Sequence, residues 1–552
     1  MMAVQALEKL VICLSQGYML HQAMLITLLF VLGFLFAYAS GLDLLWSEDT
    51  SNKAVSDNNI GYVWSILYAF PTGLALFSVI GYLMLCLGIA YTTVTMTLAM
   101  ILTGIICAVV IIRKENGVNI ILHNRSRIIA ALIIAIVFAV GIMLTSNPLD
   151  VIVDNDSFFY FSAYPNAIVS EGRYTKYFDV FLTDAAPIGS IVQTLPYLFG
   201  FSETFGIQYF LDLNFLMIFG YALYSECKVA LGKKNAIISA VGTVLFFVTS
   251  SAYLTTAKWV MAGVYFMSYY FITAYLSYKA GGMGHGCLRY GGFSEIAGAK
   301  LKPDTRKPYV MLALMAVMTS MLRQEGVILM LVLVLTLSVL RGYSGKELAS
   351  CFILPMLVAS AIYYIRVFVV LDVHPLYAFL TAGKAIIIEA ALLFCGAYLL
   401  FLRDKLGDRV HRTLPVLLPA CALILNLGLM IMRSDRYFHN LYMFYLNVRI
   451  GAGWGYFGYI AAVILLLLII KAIIKKEWYL SFFDSLMITY MFTVFLVAFG
   501  RGDELRKGVG DSGNRVMLTV VPLVVFAFAL RFLKEACSDT DEMMCFRDRE
   551  KE

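Results

Sequence analysis

The chain has 552 residues, of which 61% are hydrophobic and 14% charged. Soluble domains carry about 25% charged and about 45–50% apolar residues, so a water-soluble fold is excluded because it has nowhere to hide this much apolar surface. Mean hydropathy is +0.82, and the net charge of +6 is informative through its distribution between loops.

In chain order, apolar runs of spanning length fall near 23–41, 62–89, 92–112, 128–146, 205–226, 235–254, 258–278, 308–322, 326–341, 351–372, 385–402, 413–432, 456–474, 481–500 and 515–533. A spanning helix needs roughly 20 apolar residues. Backbone polar groups in lipid must be satisfied within the segment, so the runs read as helices. The alternating runs of a β-barrel are absent. The fold class is therefore an all-α polytopic membrane protein with about 13–15 transmembrane helices. No small-residue cleavage site follows the first run, which reads as a span and not as a signal peptide. Pro71 lies inside the second run and can break it into a re-entrant piece. The 34 tyrosines suit bilayer interfaces. Cys13, Cys86, Cys107, Cys351, Cys395 and Cys421 lie in or beside apolar runs without metal-ligand spacing, and read as small buried hydrophobes.

The connecting segments sort into two sets. Residues 113–127 carry Arg113, Lys114, Arg125 and Arg127, and residues 279–307 carry Lys279, Arg289, Lys300, Lys302, Arg306 and Lys307. Arg403, Lys405, Arg409 and Arg412 fill 403–412, and Lys471, Lys475 and Lys476 follow a later span. By the positive-inside rule these loops are cytoplasmic. The other set, at 147–190, 255–258, around Arg323, and at 373–384, 433–455 and 501–514, then faces outside. The longest, 147–190, is acidic and aromatic. Parity puts 42–60 in the cytoplasm although it holds Asp43, Glu48, Asp49 and Asp57 against Lys53, so the side of the N-terminus stays open.

Three constellations can carry chemistry. In Asp154-Asn155-Asp156-Ser157-Phe158-Phe159-Tyr160, two carboxylates at a membrane surface can bind a divalent cation or act as a general base. A solvated acidic loop with an aromatic anchor gives the same pattern. Arg433, Arg436, His439, Arg449, Arg501, Arg506, Lys507 and Arg515 load outer loops with positive charge, which suits a phosphate-bearing ligand. They equally suit anionic head groups, or pairing with Asp435, Asp503, Glu504 and Asp511. Arg323-Gln324-Glu325-Gly326 separates two short apolar runs, as a cavity wall or as an Arg–Glu pair that shapes a tight hairpin. His374 is an interfacial residue of lesser interest. Asn124-Arg125-Ser126 matches a glycosylation sequon but falls in a cytoplasmic loop. The sequence has no Walker loop and no GxSxG element, and no extended basic surface points to nucleic acid.

The order of these motifs resembles the GT-C superfamily of membrane glycosyltransferases. Asp156-Ser157-Phe158-Phe159-Tyr160 is similar to the aspartate and aromatics that open the family's first external loop, and Asp154 completes an Asp-x-Asp pair. Ile168-Val169-Ser170-Glu171-Gly172-Arg173-Tyr174 is similar to the helix-then-Gly segment that follows. Ala186-Pro187-Ile188-Gly189-Ser190 is similar to the Pro-Gly stretch before the next helices, and Arg323-Gln324-Glu325-Gly326 to an Arg-x-x-Gly turn between later spans. The resemblance covers 128–345 in pattern. Two departures are the three N-terminal spans before residue 113 and the lack of a sizeable soluble domain after the last span.

The resemblance implies a GT-C-like bundle at 113–533 whose external loop, 147–190, carries short helices. It follows N-terminal transmembrane helices at 1–112 and precedes a cytoplasmic tail at 534–552. It further implies transfer of a sugar from a polyprenyl-phosphate or -diphosphate carrier to a glycan, lipid or protein acceptor at the outer face of a bacterial cytoplasmic membrane. Asp154 or Asp156 would be the catalytic base. Arg323, Glu325, Arg433, Arg436, His439, Arg501, Arg506 and Arg515 would bind the lipid-linked donor. Mg or Mn on Asp154 and Asp156 is compatible but not required, because Arg can supply the positive charge. Two rivals stand beside this reading. An O-antigen-type polymerase or ligase would place its main external loop late in the chain. A lipid-linked oligosaccharide flippase or transporter would carry ionisable residues through the membrane core.

Overall fold

The computed structural model describes residues 18–42, 59–113, 159–184, 187–199, 205–249, 262–281, 307–340, 342–374, 380–406, 408–449, 482–500 and 518–530, with isolated positions between them. Among these residues every regular element is helical. Six helices are long and apolar enough to cross a membrane: Ala69–Leu87, Thr93–Arg113, Leu231–Val248, Gly345–Val370, Ala382–Lys405 and Thr413–Met432.

The first three elements are α1 (Tyr18–Ala39), α2 (Asn59–Leu67) and α3 (Ala69–Leu87). The run 62–89 is thus broken at Tyr68. Pro71 explains the break, since it has no N–H to donate to the preceding turn. α1 crosses α3 at Gly33 and Gly73, where each backbone fills the space a Cβ of the other would need. Small residues permit such contact between membrane helices. α4 (Thr93–Arg113) follows and turns Val94, Leu98, Ile101, Ile105 and Ile112 outward. An exposed apolar stripe at helical spacing is costly in water and at home against lipid.

Residues 159–184 and 187–199 form a folded cap. A π-helical turn (Phe159–Ala163) leads to α5 (Tyr164–Glu171), α6 (Asp179–Asp184), α7 (Pro187–Val192) and α8 (Thr194–Leu198). α9 (Phe205–Val248) is a hairpin, because Gly232 leaves the helix at φ 72°, ψ 167°. A positive φ with extended ψ is open almost only to glycine. The arms lie antiparallel, with Phe215 and Phe219 both on Phe247 at 6.0 and 5.6 Å. The basic residues Lys228, Lys233 and Lys234 flank this turn.

α10 (Ala262–Ala280), α11 (Tyr309–Met321) and α12 (Gly326–Leu337) form the centre, with nearly all their side chains buried. At 13 and 12 residues, α11 and α12 are about 20 Å long against roughly 30 Å of hydrocarbon. Their joint therefore lies inside the bundle. α13 (Gly345–Val370), α14 (Ala382–Lys405), α15 (Asp408–Met432), α16 (Ser434–Arg449), α17 (Phe482–Gly500) and α18 (Val520–Leu530) complete the described chain.

The two ends of the bundle differ. At one end Lys307 pairs with Glu347 at 2.8 Å, and Arg403 donates to the carbonyls of Ser338 and Leu340. Lys279, at the end of α10, pairs with Glu226 at 2.7 Å. Trp64 packs on Tyr275 and Tyr221 beside that pair, which puts α2 at this basic end. The opposite end carries the cap. There Tyr363 donates to the Leu182 carbonyl, Leu380 N–H to Thr183, and Tyr91 N–H to Gly172. Lys279, Lys307 and Arg403 of the basic set thus lie at the end opposite the cap.

The tyrosines depart from the interfacial expectation. Tyr82, Tyr265, Tyr269, Tyr270, Tyr275 and Tyr363 are wholly buried. Tyr269 donates to Pro71 O at 2.7 Å, Tyr82 to Ala359 O at 2.6 Å and Tyr270 to Leu329 O at 3.0 Å. A buried hydroxyl must find an acceptor, and a helix carbonyl has a second lone pair to give. Cys86, Cys107, Cys351 and Cys395 are buried as expected, but Cys421 is exposed on α15. Cys13 lies outside the described residues.

Candidate functional site

The expected candidates fall into three groups. Asp154, Asp156, Arg501, Arg506 and Arg515 lie outside the described residues. Arg323 and Glu325 occupy the turn between α11 and α12. Arg433 immediately precedes α16, and Arg436 and His439 sit in its first turns, where the sequence suggested a loop.

The Arg323–Glu325 turn is a local ion pair. Arg323 Nε donates to Glu325 Oε1 at 2.6 Å, and the side chains are 10% and 2% exposed. A Cβ at residue 326 would collide with the Ser320 carbonyl oxygen, so the glycine of Arg-x-x-Gly lets the two helices close. Tyr490 of α17 lies within electrostatic range of both charges. It also packs on Tyr270 at 5.0 Å.

α16 carries its polarity the wrong way round for a water-facing helix. Phe438, Leu441, Tyr442 and Tyr445 are exposed at i, i+3, i+4, i+7 spacing. Asn440 and Asn447 are 2% and 1% exposed on the opposite face. Arg436 heads that inner face, half-buried, with Nε and Nη2 fully enclosed. His439 flanks it, half-buried, and Arg433 is exposed. The helix rests on α17 through Tyr437 and Phe444, both against Phe495 at 6.5 and 5.4 Å. Asn426 of α15, fully buried, donates to Phe492 O at 3.1 Å on the same wall. Tyr490 and Phe495 are five residues apart, about 7–8 Å along one helix. α17 thus presents Tyr490 toward the Arg323–Glu325 pair and Phe495 toward α16.

The cap supplies a second polar patch. Lys176 and Asp372 pair at 3.4 Å, and Asp372 meets His374 at 3.3 Å, all largely exposed. Beneath them Tyr164 and Tyr174 are buried, and burial pushes both hydroxyls up, so they stay protonated. Such exposed pairs contribute little and mark where the cap meets α13.

Sequence reasoning placed charge outside the spans and missed the carboxylates within them. Asp212, Glu226 and Asp484 are buried in α9 and α17, and Glu389 is half-buried on α14 beside Ser360. The available signal was a lone acid inside an apolar run, which is expensive enough in a membrane to mark a function. Among the described residues no group of three His, Cys, Asp or Glu could hold a metal ion. Comparison with protein-family models, curated proteins and solved structures finds no match for this chain.

Proposed function

We propose that this chain is a membrane glycosyltransferase with a GT-C-like bundle of about 13–15 transmembrane helices. It moves a sugar from a polyprenyl-phosphate or -diphosphate carrier to a glycan, lipid or protein acceptor. The site lies at the cap end, on the outer face of a bacterial cytoplasmic membrane. The observation that carries this reading is the inverted α16, with an aromatic stripe outward and Arg436, Asn440 and Asn447 inward. Its outward face suits polyprenyl and acyl chains. Its inward face offers a guanidinium, whose planar fork suits phosphate oxygens.

In this reading Asp154 or Asp156 takes the proton of the acceptor hydroxyl. The acceptor oxygen bonds to the anomeric carbon as the bond from that carbon to the carrier phosphate breaks, and the electron pair leaves with the phosphate. Arg436, with Arg433 and the outer-loop residues Arg501, Arg506 and Arg515, stabilises the charge that develops there. Arg323 and Glu325 hold the hairpin. No step requires a metal.

The test uses the full chain in nanodiscs with radiolabelled hexoses and pentoses on polyprenyl phosphate. Chain-dependent transfer of label from carrier to an acceptor fraction is expected, with loss in D154N and D156N. Full transfer by both variants, eluting as the parent does, rules out the catalytic assignment. A second reading, a lipid-linked oligosaccharide flippase or transporter, draws support from the carboxylates inside the bundle. It would move an intact fluorescent carrier across a vesicle membrane without cleaving it.

A further inference from the structure

We propose that Asp212, Gln193 and Ser268 form a sodium-binding site beneath the cap. The register of the helices brings them to one level. The first arm of α9 runs parallel to α10. Phe215 and Phe219 pack on Phe271 at 5.9 and 5.1 Å, and Glu226 pairs with Lys279 one helix end away. That pairing sets Asp212 level with Tyr265–Ser268. Gln193, in the turn between α7 and α8, joins from above by donating from Nε2 to Tyr265 Oη at 2.8 Å. Tyr265 and Tyr253 both lie within electrostatic range of Asp212.

Three oxygens at this level have no hydrogen-bond partner among the described residues: Asp212 Oδ1, Gln193 Oε1 and Ser268 Oγ. Their residues are 6%, 0% and 0% exposed. No described Lys, Arg or His is placed against Asp212. A buried carboxylate that lacks a cation is costly, and buried acceptors call for a donor or a positive ion.

The donor set decides which ion. All three groups are hard oxygens, which favour hard cations over Zn or Cu. The described groups carry one negative charge, which one monovalent ion neutralises and a divalent ion would overshoot. All of α7, which leads into Gln193, is buried. A break between two short helices is also a setting in which membrane proteins hold sodium, because a carbonyl is freed there. The site stands apart from the α16 face and does not rest on the transferase reading.

The test is the unfolding midpoint of the full chain in detergent, in sodium chloride against choline chloride at equal ionic strength. Sodium is expected to raise the midpoint by roughly 1–2 °C, as ligand linkage to a chain of this size implies. D212N should abolish the shift and Q193L should reduce it. Equal midpoints in the two salts overturn the proposal, as does a full sodium shift in D212N. A midpoint that follows pH alone gives the carboxylate a proton and also overturns it. If D212N does not elute as the parent does, radioactive sodium binding to the parent chain decides. Saturable binding supports the site and its absence overturns it.

Discussion

Arg323 and Glu325 face each other across the joint of α11 and α12, with Nε donating to Oε1 at 2.6 Å inside the bundle. Removing one partner strands a buried charge, which costs about 3–5 kcal/mol, whereas replacing both with apolar groups is often neutral. R323M and E325L are each expected to lower the unfolding midpoint clearly, and the double variant to recover much of the loss. A double variant as unstable as the worse single one would show that each charge has other essential partners. Recovered stability with lost sugar transfer would give the pair a part in the reaction.

Gly33 and Gly73 allow α1 and α3 to touch backbone to backbone. A methyl at either position overlaps a carbonyl of the other helix, which cannot swing away as a side chain does. G33A and G73A should therefore each destabilise by about 1–3 kcal/mol or more, as overpacking does. Gly242 is the internal control, since nothing lies within 4 Å of its added Cβ. G242A should be neutral or stabilising by up to about 1 kcal/mol through helix propensity. Equal thermal shifts for G33A and G242A would contradict the crossing described here.

Much of the bundle was legible because spanning length and loop charge are strong signals in lipid. Lys279, Lys307 and Arg403 lie at one end, as their loops implied. The cap was legible as a segment with short helices, but its end was not, since α8 runs to Leu198, beyond the expected boundary at 190. α16 was missed for a physical reason. Its polar residues made 433–455 look like an outer loop, yet Arg436, Asn440 and Asn447 among them turn inward. The stripe Phe438, Leu441, Tyr442 and Tyr445 carried the helical period throughout. The buried tyrosines went unread because composition cannot say whether a hydroxyl meets a head group or a carbonyl of the next helix.

Ser344 closes the start of α13 with a reciprocal cap. Its Oγ accepts from Glu347 N at 3.2 Å, and Glu347 Oε2 accepts from Ser344 N at 2.7 Å. Lys307 then donates to Glu347 Oε1 at 2.8 Å, tying α11 to α13. S344A should cost about 0.5–2 kcal/mol. K307M should cost more, because it also leaves a partly buried carboxylate short of a partner. Midpoints in the order parent, S344A, K307M are the expected series. An S344A midpoint equal to the parent's would mean that water caps the helix as well as the hydroxyl does.

Arg436 offers the sharpest test of the inward face of α16. A charge-assisted hydrogen bond to a phosphate oxygen is worth about 1.5–3 kcal/mol, and about 1.4 kcal/mol is tenfold in affinity. R436Q should therefore weaken binding of polyprenyl phosphate to the nanodisc-held chain by roughly tenfold or more. R433Q should cost only about two- to threefold, because Arg433 is exposed and its contact is screened. R436K should fall between, keeping the charge but losing the fork. Added salt should weaken binding by R433Q less than by the parent chain, as one screened contact is gone. Competition against a labelled carrier reads all three variants. Unchanged affinity in R436Q would leave the inward polar face of α16 without its ligand, and with it the main support for a carrier phosphate at this end of the bundle.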